Sequence, residues 1–375
     1  MSTLKVNAIR QTGASSDAVT LASDGTCTAK ITNNLSNRNL IINGAMQIAQ
    51  RGTSTSTNNT FAADRFRFTF GGTDEAPTLT QHALTSSDTG PWAEGFRYSS
   101  HIQNGNQTSG AGTQDYAQLH YVPEAQDIAN SGWNYTSASS YITLSFWIKS
   151  SVAQVFNFTF GTQDGTAKYY RMKTPSLSAD TWTKVTKKIP GDSGLSFDNN
   201  NGTGGYVWFW PFIGNHWTSS GASENAWTAA NSGEYSIDMT STWWTTNDAT
   251  FEITGVQLEV GDVATDFEHR SYGDELARCQ RYYEVLYMSN GTACCYATGD
   301  STYKWAAMWY FKQEKRAQAS VALLDDAVFN VSGGGAITLT GIFTSKDHAM
   351  FYYDSGLFRL GDNDQHASVK AESEL

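Results

Sequence analysis

Charge is scarce in this chain. Asp, Glu, Lys and Arg supply 16% of its 375 residues, well under the rough quarter of an ordinary globular domain. The 36 acidic residues outnumber the 25 basic ones, giving a net charge of -11 and a pI near 5.0. That excludes a nucleic-acid binder, which needs dense Lys/Arg to release counterions from a phosphate backbone. The closest approach, Lys184, Lys187 and Lys188, reads as a solvated strand edge. No apolar run nears the roughly 18 residues that span a bilayer, and MSTLKVNAIRQTGASSDAVT has no apolar signal core. No membrane insertion is expected, and synthesis in a cytoplasm is.

Cysteine and catalytic motifs are equally thin. Cys27, Cys279, Cys294 and Cys295 lack metal-finger spacing, and the adjacent Cys294-Cys295 pair is poorly placed to bridge itself, so idle thiols are expected. No GxSxG, HExxH, Walker or dinucleotide glycine pattern occurs, and the His residues are scattered. FDNNNGTGG (197–205) fails as a calcium loop because Gly202 stands where an oxygen ligand is needed. Glu124 with Asp127, or Asp262 with Asp266, could be paired for glycoside hydrolysis, yet nothing marks either pair. The chain is therefore expected to be no enzyme and to carry no catalytic residues, metal or cofactor.

Aromatics and glycine are abundant: 12 Trp, 18 Tyr, 19 Phe and 33 Gly. With so little charge, the polar surface must come from Ser, Thr, Asn, Gln and Gly, which suits an all-β protein with many turns and contact with neutral sugars rather than phosphates. Period-two alternation supports this. Phe66, Phe68 and Phe70 alternate with Arg65, Arg67 and Thr69, and Ile142, Leu144, Phe146 and Ile148 alternate with Thr143, Ser145, Trp147 and Lys149. Phe156, Phe158 and Phe160 repeat the rule, and Asp164-Gly165 turns the chain into KYYRM, predicting a hairpin over 155–173.

Three divisions follow: an N-terminal segment, residues 1–38, of short strands around an Asp24-Gly25 turn; a sandwich over 39–270; and a linker helix with a smaller β-domain over 271–375. Strands as short as those of 1–38 need another chain to dock on. YVWFWPFI (206–213) is apolar on both faces, with Tyr206, Trp208, Trp210 and Phe212 on one; the second face needs cover from a neighbouring subunit or a ligand, which makes Trp208, Trp210 and Phe212 candidate subunit-interface residues, with Pro211 marking a bulge or an edge. In ITGVQLEVGDVATDFEHRSYGDELARCQRYYE (253–284), Phe251 and Ile253 differ in parity from Val256, Leu258 and Val260, predicting a β-bulge at Gly255. Glu252, Gln257 and Glu259 should then point outward to solvent. GDELARCQRYYE reads as a short amphipathic helix with Leu276, Cys279 and Tyr283 on one stripe and Asp274 paired to Arg278. The polar end DNDQHASVKAESEL reads as a frayed tail or a strand with a solvated end.

Ligand chemistry is sought among loop aromatics. Trp217, Trp227, Trp243 and Trp244 fall in Ser/Thr/Asn-rich sequence, where rings stack on sugar faces. Core or subunit packing is the alternative use of the same rings.

NLIINGAMQIAQRG (39–52) followed by FAADRF (61–66) resembles the opening of phage tail-fibre and other virion-appendage proteins. ITLSFWIKSS (142–151) and the 253–284 stretch are similar to the middle and end of that family's jelly-roll domain, and MSTLKVNAIRQTG resembles the start of tail-fibre-like proteins of marine and cyanobacterial phages. NLIINGAM and GVQLEVG are also similar to the terminal strands of jelly-roll carbohydrate-binding modules, although Ala45 replaces the acidic residue that often follows the Asn-Gly there. The resemblance implies an all-β antiparallel β-sandwich (jelly roll) with an extended N-terminal anchoring segment and a smaller C-terminal β-domain joined by a short helix. It further implies a homotrimeric tail fibre located in the virion, held to other virion proteins through residues 1–38 and attaching to a host cell-surface glycan. A purely architectural capsid or tail protein is the alternative. A polysaccharide depolymerase is a third, for which no long repeat is present.

Overall fold

The alternating strands stack as two antiparallel sheets. The structure, a computed structural model, describes residues 5–23, 25, 27–29, 37–231, 233–288, 296–297, 305–324, 329–331, 336–339, 341–353, 358–360 and 367–375. Asp24 and the Cys294-Cys295 pair lie outside these residues. Near the N-terminus Ala8–Ile9 (β1), Val19–Leu21 (β2) and Cys27–Ala29 (β3) form a three-stranded sheet with Val6, Ile9 and Leu21 exposed.

The sandwich uses Ser54–Thr55 (β4), Thr60–Phe61 (β5), Arg67–Gly71 (β6), Thr78–Ala83 (β7), Tyr98–Gln103 (β8), Tyr116–Tyr121 (β9), Tyr141–Ser150 (β10), Asn157–Thr162 (β11), Lys168–Lys173 (β12), Thr183–Pro190 (β13), Gly205–Ile213 (β14), Trp227–Ala229 (β15) and Thr250–Val260 (β16). One sheet runs β13-β10-β16-β8-β7-β4 and the other β15-β12-β11-β14-β9-β6-β5. Consecutive strands cross repeatedly between the two, as in a jelly roll. Between the sheets, Phe146 meets Phe158 and Phe209 edge-on, with ring centroids 5.0 Å apart in each pair. Phe66, Phe68, Phe70, Ile142, Leu144 and Ile148 are buried in the same core. The predicted 155–173 hairpin is present as β11 paired with β12.

Two bulges decide which side chains face the core. Opposite Ser145 and Trp147, β16 places Gln257 and Thr254, one residue more than its partner, and Gly255 carries the extra residue at φ +64°. The predicted bulge therefore sits where the parity changes. On β14 the register against β9 shifts between Phe209 and Phe212, around Pro211.

Three outward-facing residues of β16 depart from expectation. Glu252, Gln257 and Glu259 are not solvated: all three are at most 3% exposed. The outer face of β16 is itself covered, because residues 261–270 fold back over it and the β7 and β10 side chains flank it. Glu259 accepts from Thr265 N (2.8 Å) and Oγ1 (2.6 Å) and lies 3.5 Å from Arg38. Glu252 accepts from Ser99 Oγ and pairs with Lys149 at 2.9 Å. Glu268 accepts from the Asn39 amide at 2.7 Å, tying the corner to the first residues of the sandwich. A buried carboxylate persists when its charge is paired and its lone pairs are filled, and these are struts.

Two short helices, Ala125–Ala129 (α1) and Thr242–Thr245 (α2), precede the linker helix Tyr272–Gln280 (α3). Ser271 caps α3 by accepting from Asp274 N. Cys279 and Tyr283 are buried, with Leu276 half-buried against the core. The expected Asp274–Arg278 pair is replaced by other contacts: Asp274 accepts from Ser271 Oγ, and Arg278 donates to Asn37 Oδ1.

Beyond α3, Ala367–Glu372 lies between Tyr283–Met288 and Ser320–Leu324 in a three-stranded sheet, and a four-stranded sheet contains Trp305–Tyr310 and His348–Tyr353. Ala307, Trp309, Phe311, Phe351 and Val369 form a small separate core. Where the polar end is described, at 367–375, it is a strand with a docked end, and Val369, Ala371 and Ser373 are buried. Glu374 is held by Arg51 (3.0 Å) and Arg65, and Leu375 packs on the sandwich core. The arginines of the Gln50-Arg51-Gly52 turn and of Asp64-Arg65-Phe66 supply the counter-charge that a frayed end would lack.

Candidate ligand cleft

The outer face of the seven-stranded sheet carries the side chains of opposite parity to the core: Arg67 and Thr69 on β6, Tyr116, Gln118 and His120 on β9, Tyr206 and Trp208 on β14, Tyr169 and Arg171 on β12. Register places Trp208 opposite His120, and Tyr206 opposite Gly161, which in turn faces Tyr169. Gly161 has a packing role. A Cβ there would lie 3.2 Å from the Tyr169 ring and 3.4 Å from Trp208, in the floor between them.

Residues 215–231 and 233–239 fold over one side of this face and make it concave. Thr159 Oγ1 donates to Tyr235 O at 3.0 Å, Asn157 Nδ2 to Ile237 O, and Arg171 Nε to Glu234 O at 2.9 Å. Outward polar groups of the sheet thus anchor the wall. The result is an open cleft of about 520 Å³, lined by Tyr116, Tyr169, Tyr206, Trp208, Trp210, Trp217 and Tyr235 together with Thr69, Gln118 and Gln163.

Its geometry suits flat, hydroxyl-bearing ligands. Tyr206 stacks on Trp208 (4.7 Å between centroids, 14° between planes), and Tyr235 meets Trp208 edge-on at 5.7 Å. Thr69 Oγ1 donates to Gln118 Oε1 (3.1 Å), which His120 Nδ1 also approaches at 3.0 Å, leaving the Gln118 amide nitrogen without a protein partner among the described residues. The Trp210 indole N–H, buried in the cleft lining, likewise has no protein acceptor among them. No lining residue is charged. Burial, reinforced by Tyr235, pushes the Tyr169 hydroxyl up to about 12, and burial next to Arg67 and Arg65 holds His120 down to about 3.

Of the tryptophans singled out in the sequence, Trp217 lines this cleft, its Nε1 donating to Gln114 O at 3.0 Å. The other three do not reach it. Trp227 belongs to β15, packs on Phe160 (5.9 Å) and Tyr170 (5.3 Å) on the core side, and donates to Pro190 O. Trp243 and Trp244 are 0% exposed, because α2 turns both rings into the sandwich, where Trp244 packs on Phe212 at 5.0 Å. A ring with no free face cannot stack on a sugar.

The interface candidates are also reassigned. The Pro211 bulge flips parity, so Phe212 enters the core while Ile213 joins the outer cluster. Trp208 and Trp210 are packed by Trp217, Tyr235 and Met239 and form the cleft floor, so residues of this chain supply part of the cover expected from a neighbouring subunit or a ligand. Sequence reasoning missed Tyr116, Gln118, Gln163, Tyr169 and Tyr235, and reached Tyr206 only as part of a face needing a subunit or a ligand as cover. The signal for some of them was present in the alternation, since Tyr206, Tyr169 and Gln118 occupy the parity opposite the core.

The carboxylates that could be paired in the sequence sit in two different settings. Glu124 is buried against Arg281 (2.7 Å) and the Tyr282 hydroxyl, and Asp262 and Asp266 lie on an exposed corner.

No protein-family model matches the chain, and no curated protein matches it in sequence. Among solved structures it is similar to the enzymatically active domain of bacteriophage CBA120 tailspike protein 4, with 13% identity, 60% of this chain covered and a TM-score of 0.32; the chain spans 22% of that domain. It is also similar to a family 4 carbohydrate-binding module (12% identity, 58% and 98% of the two chains, TM-score 0.30) and to the N-terminal cellulose-binding domain of Cellulomonas fimi β-1,4-glucanase C (11%, 58% and 99%, TM-score 0.26).

Proposed function

We propose that this protein is a glycan-binding adhesin of a phage virion, a tail fibre that holds an uncharged saccharide in the cleft. The observation that carries the reading is the cleft itself: stacked and edge-on rings on a rigid sheet, with Gln, Thr and Tyr polar groups between them and no charge. Rings supply broad contact with sugar faces, while amides and hydroxyls orient the ring hydroxyls. The three-stranded sheet of β1–β3, too small to be stable alone, is the attachment to the particle. The fibre is a homotrimer, in which several weak sugar contacts add through avidity.

Titrating the protein with purified neutral host-envelope polysaccharide by calorimetry tests this. Trp217→Ala and Gln118→Ala should each weaken binding about tenfold, the worth of one stacked ring or one hydrogen-bonded anchor at roughly 1–2 kcal/mol. A folded protein that binds no neutral glycan would favour the architectural role.

A further inference from the structure

The aromatic cleft ends where the arginines begin. On β6 and β9 the pair next to Thr69 and Gln118 is Arg67 opposite His120, with Trp208 on the far side of His120. That row would continue the groove toward β5. It is covered by residues 373–375: Arg67 Nη2 donates to the Leu375 main-chain oxygen at 2.5 Å, Arg51 and Arg65 grip the Glu374 carboxylate, and Arg316 Nε donates to Ser373 O at 2.9 Å. Only about 10 Å³ of space remains between the segment and the sheet, beside Phe61, Arg67 and His120. The covered row connects to the cleft, because His120 Nδ1 lies 3.0 Å from the Gln118 side-chain oxygen.

We propose that residues 373–375 form an end wall of the cleft, occupying in cis an arginine-lined subsite that would otherwise take a carboxylate-bearing sugar. The peptide carboxylate and main-chain oxygens stand where the carboxylate and hydroxyls of a uronic acid would bind, and guanidinium forks match such groups. The wall both limits the length of the bound saccharide and restricts the site to uncharged ligands. This inference rests on the glycan-binding reading of the cleft.

The test compares the unmodified chain with one shortened after Glu372, each titrated with a neutral glucan oligosaccharide and with an oligogalacturonate of equal length. The shortened chain should gain about tenfold in affinity for the oligogalacturonate, one charged hydrogen bond's worth, and lose that gain at high salt. Its affinity for the neutral ligand should stay within about twofold. A Glu374→Ala/Leu375→Gly double variant of the full chain opens the same row without shortening it, and gives the same readout if the shorter chain does not fold. A folded variant with no gain toward the oligogalacturonate overturns the end wall. Failure of the unmodified chain to bind any neutral glycan would instead count against the cleft reading, with the oligogalacturonate comparison still deciding the wall.

Discussion

At Gly255 two constraints coincide. Its φ of +64° places it in the left-handed region, and a Cβ there would come 2.6 Å from the Phe96 ring. Gly255→Ala should therefore cost about 2–3 kcal/mol, strain plus displacement of a buried ring, seen as a lower urea midpoint with an unchanged m-value. Two titrating residues work in opposite directions. His120 is held at about 3 in the fold against 6.5 when free, by burial and then by Arg67 and Arg65. A depressed base means that the unfolded chain binds the extra proton, so the stability at stake is complete above pH 6.5 and is lost as pH falls toward 3. His120→Gln should flatten that acid limb in melting temperature against pH. Asp127 is raised to about 6 from 3.8 by burial and by Glu124. Its contribution is complete below pH 3.8 and is lost as pH rises through 6. Asp127→Asn should thus stabilise at pH 7 by about 1–2 kcal/mol, after allowing for solvent screening, and do nothing near pH 3.

Among the elements, the bulged strands β14 and β16 explain both what was legible and what was not. For β16 the change of parity was visible in the residues, and the structure places the bulge at that glycine. For β14 Pro211 signalled an irregularity, but residue order alone does not say which way parity resumes, and the shift sends Phe212 inward. The 215–248 stretch was harder still. Its local sequence is uniformly polar around each tryptophan, and only the packing of α2 separates Trp243 and Trp244 from Trp217. The difference is measurable: Trp243→Ala should cost about 3–5 kcal/mol by leaving a core cavity, whereas Trp217→Ala should reduce glycan affinity with little change in melting temperature.

For the whole molecule, the electrostatics of the cleft and of the chain diverge. The net charge is -11, yet the cleft is uncharged, with burial pushing the Tyr169 hydroxyl up to about 12 and holding the adjoining His120 down to about 3. Affinity for a neutral glycan should accordingly be flat between about pH 5 and pH 9, because the lining carries no Asp, Glu, His, Lys or Arg. A pH-dependent affinity in calorimetry would mean that a charged group outside the cleft contacts the ligand. Light scattering of the full chain should give the mass of a trimer. A monomer at micromolar concentration would remove the trimer and its avidity while leaving the cleft intact.

The sequence by itself determined the β class, the alternating strands of the sandwich, the 155–173 hairpin and the bulge at Gly255, because period-two burial and turn chemistry are local properties. Tertiary structure alone decided which aromatics meet. Tyr169, Tyr206 and Gln118 come together through strand pairing, Trp243 and Trp244 are removed to the core by a short helix, and Glu259 and Glu374 are buried by arginines distant in sequence. Whether an outward-facing side chain meets water, a ligand or another segment depends on what folds over it, and that is a non-local property.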